Sequence, residues 1–272
     1  MSKQSLSPIL TVRDLSVSFY IENEIVRALK GISFEISKGE IVALVGESGS
    51  GKSVTCYSIL DLLPSYAEIK GEIILHHSGQ DIDITKLSEN DKRKIRGNVV
   101  SMIFQEPSAV LNPLLKVGDQ IVESVLAHRS VSYREAKRIA IESMKKAHIP
   151  DPEKRFEQYP HELSGGLKQR IAIAIAVANN PDLILADEPT TALDVTVSAQ
   201  ILKLFKILKE DMGMGILLIT HDLGIVAEIA DRVLVIYKGE IVEKGDVFKI
   251  FDNPQHPYTK KLLSSRPVLP TF

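Results

Sequence analysis

Between Leu10 and Glu35 apolar and polar residues alternate (LTVRDLSVSFYI, then VRALKGISFEI). That period of two predicts strands with one buried face. Lys38-Gly39 then turns the chain into Ile41-Val42-Ala43-Leu44-Val45, a wholly apolar run suited to a strand buried on both faces. Val54 to Leu63 has helical spacing up to Pro64, and GEIILHH and DIDI flank a turn at SGQ (78–80) as a second hairpin. In ENDKRKIRG (89–97) acidic residues precede basic ones, the order of a short solvated helix rather than of a nucleic-acid patch. VVSMIF (99–104) predicts a strand, and helical periodicity then dominates from Val117 to Ala147. Pro150, Pro152 and Pro160 punctuate a loop before a helix from Gly165 to Ala178. Strand LILADEP, helix VSAQILKLFKILKE, strand GILLIT, helix DLGIVAEIA and strands RVLVIYK and EIVEKG follow.

Alternating strands and helices of this kind predict an α/β fold with a mostly parallel sheet covered on both faces, an antiparallel β-subdomain and an inserted helical lobe. No internal repeat is visible, so the chain reads as one nucleotide-binding module. Its core is expected at 1–105 and 181–250, its helical lobe at 106–180 and a tail at 251–272.

The chemistry begins where the apolar strand stops, at GESGSGKS, Gly46 to Ser53. Glycines 46, 49 and 51 allow a sharp turn and close approach to a ligand, and backbone N–H groups converge at the start of a helix. Lys52 adds a positive charge, and the Ser53 hydroxyl suits Mg²⁺. The stretch fits the phosphate-cradling pattern G-x-x-x-x-G-K-[ST] in its strand-then-helix context. Gly46, Ser48, Gly49, Ser50, Gly51, Lys52, Ser53 and Val54 are therefore the expected contacts of a nucleotide triphosphate.

Composition narrows the rest. The 272 residues carry a formal net charge of −2, which advertises no nucleic-acid partner. The single cysteine, Cys56, can form no internal disulfide and has no metal-ligand spacing, so a packed thiol in a reducing compartment is expected. The N-terminus lacks a signal-peptide apolar region, and the longest apolar run, Ile171 to Ala178, is far short of a membrane span.

Hydrolysis of a triphosphate needs a metal, an oriented water and balance for the charge developing on the γ-phosphate. LILADE ends in two carboxylates: Asp187 suits the Mg²⁺ shell, and Glu188 suits a base that orients the attacking water. Gln105 after VVSMIF and His221 after GILLIT also end strands, Gln105 within reach of metal or water and His221 of the γ-phosphate. In LSGGLKQR, Ser164 is a natural N-cap, and Gly165 and Gly166 expose backbone N–H groups at a second helix start. That turn lies in the helical lobe, too far away to serve the same nucleotide within one chain. A head-to-tail dimer would let it close on the partner's ATP. A simple helix cap explains the serine but not the paired glycines.

The order GESGSGKS, FQEP, LSGGLKQR, LILADEP, TALD and ITHD resembles the ATP-binding subunit of ABC (ATP-binding cassette) transporters across essentially the whole chain. The resemblance implies ATP and Mg²⁺, with Ser53, Gln105 and Asp187 around the metal. It implies an adenine-stacking aromatic at Phe19, with Tyr20 adjacent, a loop through Asp194 that couples two sites across a dimer, and a partner-sensing loop at Gln105. FQEPSAVLNPLLKVGDQI and NPQHPYTKKLLSSRPVL are similar to the dipeptide/oligopeptide importers, a branch that includes nickel importers. Leu167 stands where most ABC proteins have Gln, and an apolar residue there resembles the same branch. Many relatives continue past HPYT with cysteines able to bind an iron–sulfur cluster; no cysteine follows here, and no cluster is expected. The implied partners are a second ABC ATPase subunit, related or identical, transmembrane permease subunits and, indirectly, an external solute-binding protein. The implied location is the cytoplasmic face of the membrane. A soluble ABC ATPase acting on DNA or ribosomes would carry a long coiled coil or tandem cassettes, absent here. A small-molecule kinase would leave the Ser-Gly-Gly turn and His221 unexplained.

Overall fold

The computed structural model describes residues 7–22 and 24–264; the ends of the chain, including the tail from residue 265, lie outside the described residues. The chain divides into two compact units, 1–85 with 217–272, and 86–216.

In the first unit β1 (Pro8–Ile21) pairs antiparallel with β2 (Glu24–Ser37) and with β4 (Ala67–His77), and β4 pairs with β5 (Gln80–Asp83). The two expected hairpins thus form one four-stranded sheet, in the order β2-β1-β4-β5. Strand β3 (Ile41–Val45) is buried at every position and runs parallel to β9 (Arg232–Tyr237), which pairs antiparallel with β10 (Glu240–Asp246). Both faces of β3 are therefore removed from water, as its uninterrupted apolar sequence requires. Helices α9 (Leu223–Ile229), α10 (Val247–Asp252) and α11 (Pro257–Ser264) cover this strand group through Ala43, Val45, Val226, Val233, Val235, Ile250 and Tyr258. Each fully buried Val, Leu or Ile there contributes about 1.5–3 kcal/mol of transfer free energy.

Helix α1 spans Lys52–Ile59, shorter than the expected 54–63 at its C-terminal end and longer at its start. Asp61 takes a left-handed conformation (φ 50°), its N–H donates to Ser58 O, and the Leu62 N–H donates to Tyr57 O at 2.8 Å. This paired closure ends the helix well before Pro64. Cys56 is fully buried on it.

The second unit holds α2 (Glu89–Ile95), the parallel strands β6 (Val100–Ile103) and β7 (Leu183–Asp187), and only helical elements between those strands. These are α3 (Pro107–Val110), α4 (Val117–His128), α5 (Tyr133–Lys146), α6 (Pro152–Phe156) and α7 (Gly165–Val177); α8 (Val195–Met212) follows β7. The chain returns to the first unit within β8 (Gly215–Thr220), which is buried throughout. The fold is the expected α/β class, with parallel strands, an antiparallel sheet and inserted helices.

Three short helices were not foreseen where prolines stand: α3, α6 and α11 all begin at a proline. Proline at a first helical position loses no hydrogen bond and has a helical φ already, so it opens a helix as readily as it breaks one. No described helix is long and apolar enough to cross a membrane.

Candidate functional site

The phosphate loop follows β3 and is held from several sides within the first unit. The Gly239 N–H, in the β9–β10 turn, donates to Ser50 O at 3.0 Å, and the Glu47 N–H donates to the Tyr258 hydroxyl at 2.9 Å. The Lys52 ammonium is buried, 6% exposed, and donates to the carbonyls of Gly46 and Glu47, each at 2.9 Å. A Cβ at Gly46 would lie 2.3 Å from Ile236 O, and one at Gly51 (φ 109°) would lie 2.7 Å from a Leu29 methyl, so neither position admits a side chain. Gly51 N-caps α1 in the left-handed conformation with no side-chain cap, leaving the first N–H groups of the helix to other acceptors. Ser48 and Gly49 sit at the exposed crest, and Ser53 and Val54 are half-buried in the first turn. The Ser50 hydroxyl is buried without a hydrogen-bond partner among the described residues. A buried orphan of this kind calls for a ligand group or a water.

Two other expected residues belong to this unit. Phe19, half-buried on β1, has its ring centroid 6.1 Å from that of Tyr66. Tyr20 is more exposed, and its hydroxyl donates to Glu68 at 2.8 Å; that bond, with burial and the Glu68 charge, holds its phenol above the ordinary range. His221 is exposed directly after β8, and the next residue, Asp222, caps α9 through its carboxylate.

The second unit gathers Gln105, Asp187 and Glu188 at the ends of β6 and β7. Asp187 is buried, 3% exposed. The Gln105 side-chain amide donates to Glu188 Oε2 at 3.3 Å, and the Thr191 hydroxyl donates to the same oxygen at 2.9 Å. Glu188 has a left-handed backbone, φ 45°. A non-glycine residue held there costs roughly 1–3 kcal/mol, strain typical of functional positions. Thr191, not anticipated as a contact of Glu188, orients that carboxylate; its place three residues on in EPTT was the available signal.

The Ser-Gly-Gly turn and the Asp194 turn are packed together in the same unit. Ser164 Oγ accepts the Leu167 N–H at 3.4 Å, and Asp194 Oδ1 accepts the Val197 N–H at 2.9 Å. A Cβ on Gly166 would meet a Val197 methyl at 2.7 Å, so the second glycine is required by close approach of α7 to α8. Arg170 braces the pair: its guanidinium donates to Ala147 O at 3.0 Å and to Gln200 Oε1 at 3.0 Å. Burial lowers its tendency to stay charged, though an arginine remains protonated at neutral pH. The spacing in LSGGLKQR hinted at neither the Val197 contact nor this brace.

A strand-to-helix phosphate loop, a carboxylate pair ending a parallel strand and a separate Ser-Gly-Gly helix start together define a nucleotide-cassette architecture. The family model for ABC transporters matches residues 29–191. The fold is similar to the ATP-binding cassette MJ0796, solved as a dimer in a post-hydrolysis state with ADP and Pi. The TM-score is 0.76 and the identity 31%, covering 88% of this chain and 98% of that one. It is also similar to cbiO1 of Clostridium perfringens, part of the transporter complex cbiONQ (TM-score 0.75, 27% identity, 91% of this chain and 92% of that one). The chain belongs to the ABC transporter family and is an ABC-type ATPase.

Within that family it carries a second signature. Residues 242–271 match the oligopeptide/dipeptide transporter C-terminal region. The chain is 50% identical to the oligopeptide transport ATP-binding protein OppD of Bacillus subtilis, over 96% of its own length and 72% of OppD. It is 48% identical to the dipeptide transport ATP-binding protein DppD of the same organism, over 97% of its length and 78% of DppD.

Proposed function

We propose that this chain is the ATP-hydrolysing subunit of a peptide importer, peripheral to the cytoplasmic face of the membrane. It would work with a second cassette, related or identical, with transmembrane permease subunits and, indirectly, with an external binding protein. The observation that carries the reading is the joining of the ABC transporter domain, residues 29–191, to the peptide-transporter C-terminal region in a single chain.

Lys52, the loop amides and the orphaned Ser50 hydroxyl bind the triphosphate, and Phe19 supports the adenine. The proposed metal donors, Ser53 hydroxyl, Asp187 carboxylate and Gln105 amide oxygen, are all hard oxygen ligands, and such a set fits Mg²⁺. Mg²⁺, when bound, neutralises charge on the phosphate oxygens. Glu188, oriented by Thr191 and Gln105, accepts a proton from the attacking water, and His221 stabilises charge on the γ-phosphate. Ser164, Gly165 and Gly166 of one cassette close on the nucleotide of the other, and Asp194 links the two sites.

The test is reconstitution with a peptide-type permease pair and binding protein in vesicles loaded with MgATP. Uptake of labelled di- or oligopeptide that stops without ATP is expected. ATP-driven uptake of a different solute with no peptide uptake would replace peptide as the cargo.

A further inference from the structure

The loop that receives the triphosphate is tied to the C-terminal region by one side chain. Tyr258 is the second residue of α11, within the segment matching the peptide-transporter C-terminal region. The residue is 7% exposed, and its ring stacks on Tyr237 of β9, centroids 4.2 Å apart. Its hydroxyl accepts the Glu47 N–H, the second residue of GESGSGKS, at 2.9 Å. The carbonyl of that same residue accepts Lys52 Nζ at 2.9 Å and the Ser50 N–H at 3.2 Å. Glu47 is thus gripped on its N–H by the C-terminal segment and on its C=O by the loop itself.

The segment is anchored in turn. Glu243 of β10 accepts the N–H groups of Gln255 at 2.7 Å and His256 at 3.0 Å, one on each carboxylate oxygen, and His256 Nδ1 receives the Tyr258 N–H at 3.1 Å. Burial works against the ionised Glu243, and the bonds it accepts outweigh that, holding its carboxyl below the ordinary range. The run from β10 through Glu243, the 255–256 backbone and the Tyr258 hydroxyl to Glu47 is continuous and lies wholly within the first unit.

We propose that Tyr258 is a positioning residue for nucleotide binding: the C-terminal segment pre-sets the phosphate loop by fixing the Glu47 amide. A loop already held in its binding conformation loses less freedom when the phosphates arrive, so affinity rises without any contact between Tyr258 and the nucleotide. The inference rests on the nucleotide reading of the loop given above, and the same physical link would let changes in the C-terminal region alter ATP affinity.

Tyr258→Phe keeps the ring and its stack on Tyr237 and deletes only the hydroxyl. The Kd for MgATP, measured on the full chain at a temperature well below unfolding, is expected to rise roughly 3- to 10-fold, the worth of one net hydrogen bond. Glu243→Gln, which keeps the shape of the anchor and weakens its grip, is expected to shift Kd in the same direction by less. A merely structural Tyr258 would lower the unfolding midpoint and leave Kd of the folded protein at the wild-type value; that result overturns the proposal. Lys52→Ala separates the two levels. Lost affinity in Lys52→Ala with wild-type affinity in Tyr258→Phe sinks the positioning role alone, whereas wild-type affinity in Lys52→Ala sinks the nucleotide reading and this inference with it.

Discussion

Two helices begin in glycine-rich turns, and they are built differently. Helix α1 opens at Gly51 with a left-handed backbone and no side-chain cap, and its loop holds a buried lysine and an orphaned serine hydroxyl. Helix α7 opens at Ser164 with an extended backbone and an exposed serine whose cap is 3.4 Å long, beyond the usual 2.7–3.2 Å. The first start is held by hydrogen bonds to Gly239, to Tyr258 and to its own lysine. The second is firm behind, where Gly166 abuts Val197, and loosely committed in front, at the hydroxyl. This difference fits the proposed roles, a pocket that receives a triphosphate and a surface that closes over one.

The largest expected effect is at Glu188. Glu188→Gln removes the proposed base and leaves an amide oxygen to accept from Gln105 and Thr191, so ATP binding is expected to be retained while turnover falls about 10²–10⁴-fold. Steady-state phosphate release with parallel nucleotide titration checks this, and near-wild-type turnover would remove Glu188 from its role. A smaller effect separates the two helix starts directly. Ser164→Ala deletes a long cap bond, so the loss of stability should fall below the ~1 kcal/mol of an ordinary N-cap. ATPase activity should nevertheless drop about 10-fold or more, the worth of a hydrogen bond to a charged phosphate. Thermal unfolding and ATPase assays on one preparation decide it. Activity that only follows stability would reduce Ser164 to a helix cap.

Much of this was legible because strand burial and turn chemistry leave local traces. The apolar run Ile41 to Val45 declared a doubly covered strand, and GILLIT matches β8 residue for residue. Less legible were helix ends and side-chain contacts that apolar periodicity does not encode. The end of α1 depends on a left-handed Asp61, and a helical pattern running on to Leu63 hides that closure. Prolines 107, 152 and 257 start helices because a first-turn proline loses no hydrogen bond, and a proline read as loop punctuation hides that. Thr191 beside Glu188, Val197 under Gly166 and Tyr258 on Glu47 are contacts created by the fold. The HPYT stretch resembled a family tail, and only its packing against the loop suggests what one of its residues does.

The central claim is that both glycine-led helix starts serve one nucleotide, one start from each of two cassettes. A structure of the Glu188→Gln assembly with MgATP tests it most directly. The account predicts Ser164 and the Gly165–Gly166 amides of one subunit within hydrogen-bond distance of the triphosphate held by Lys52 of the other. Finding that turn in solvent, with the triphosphate complete without it, would contradict the account.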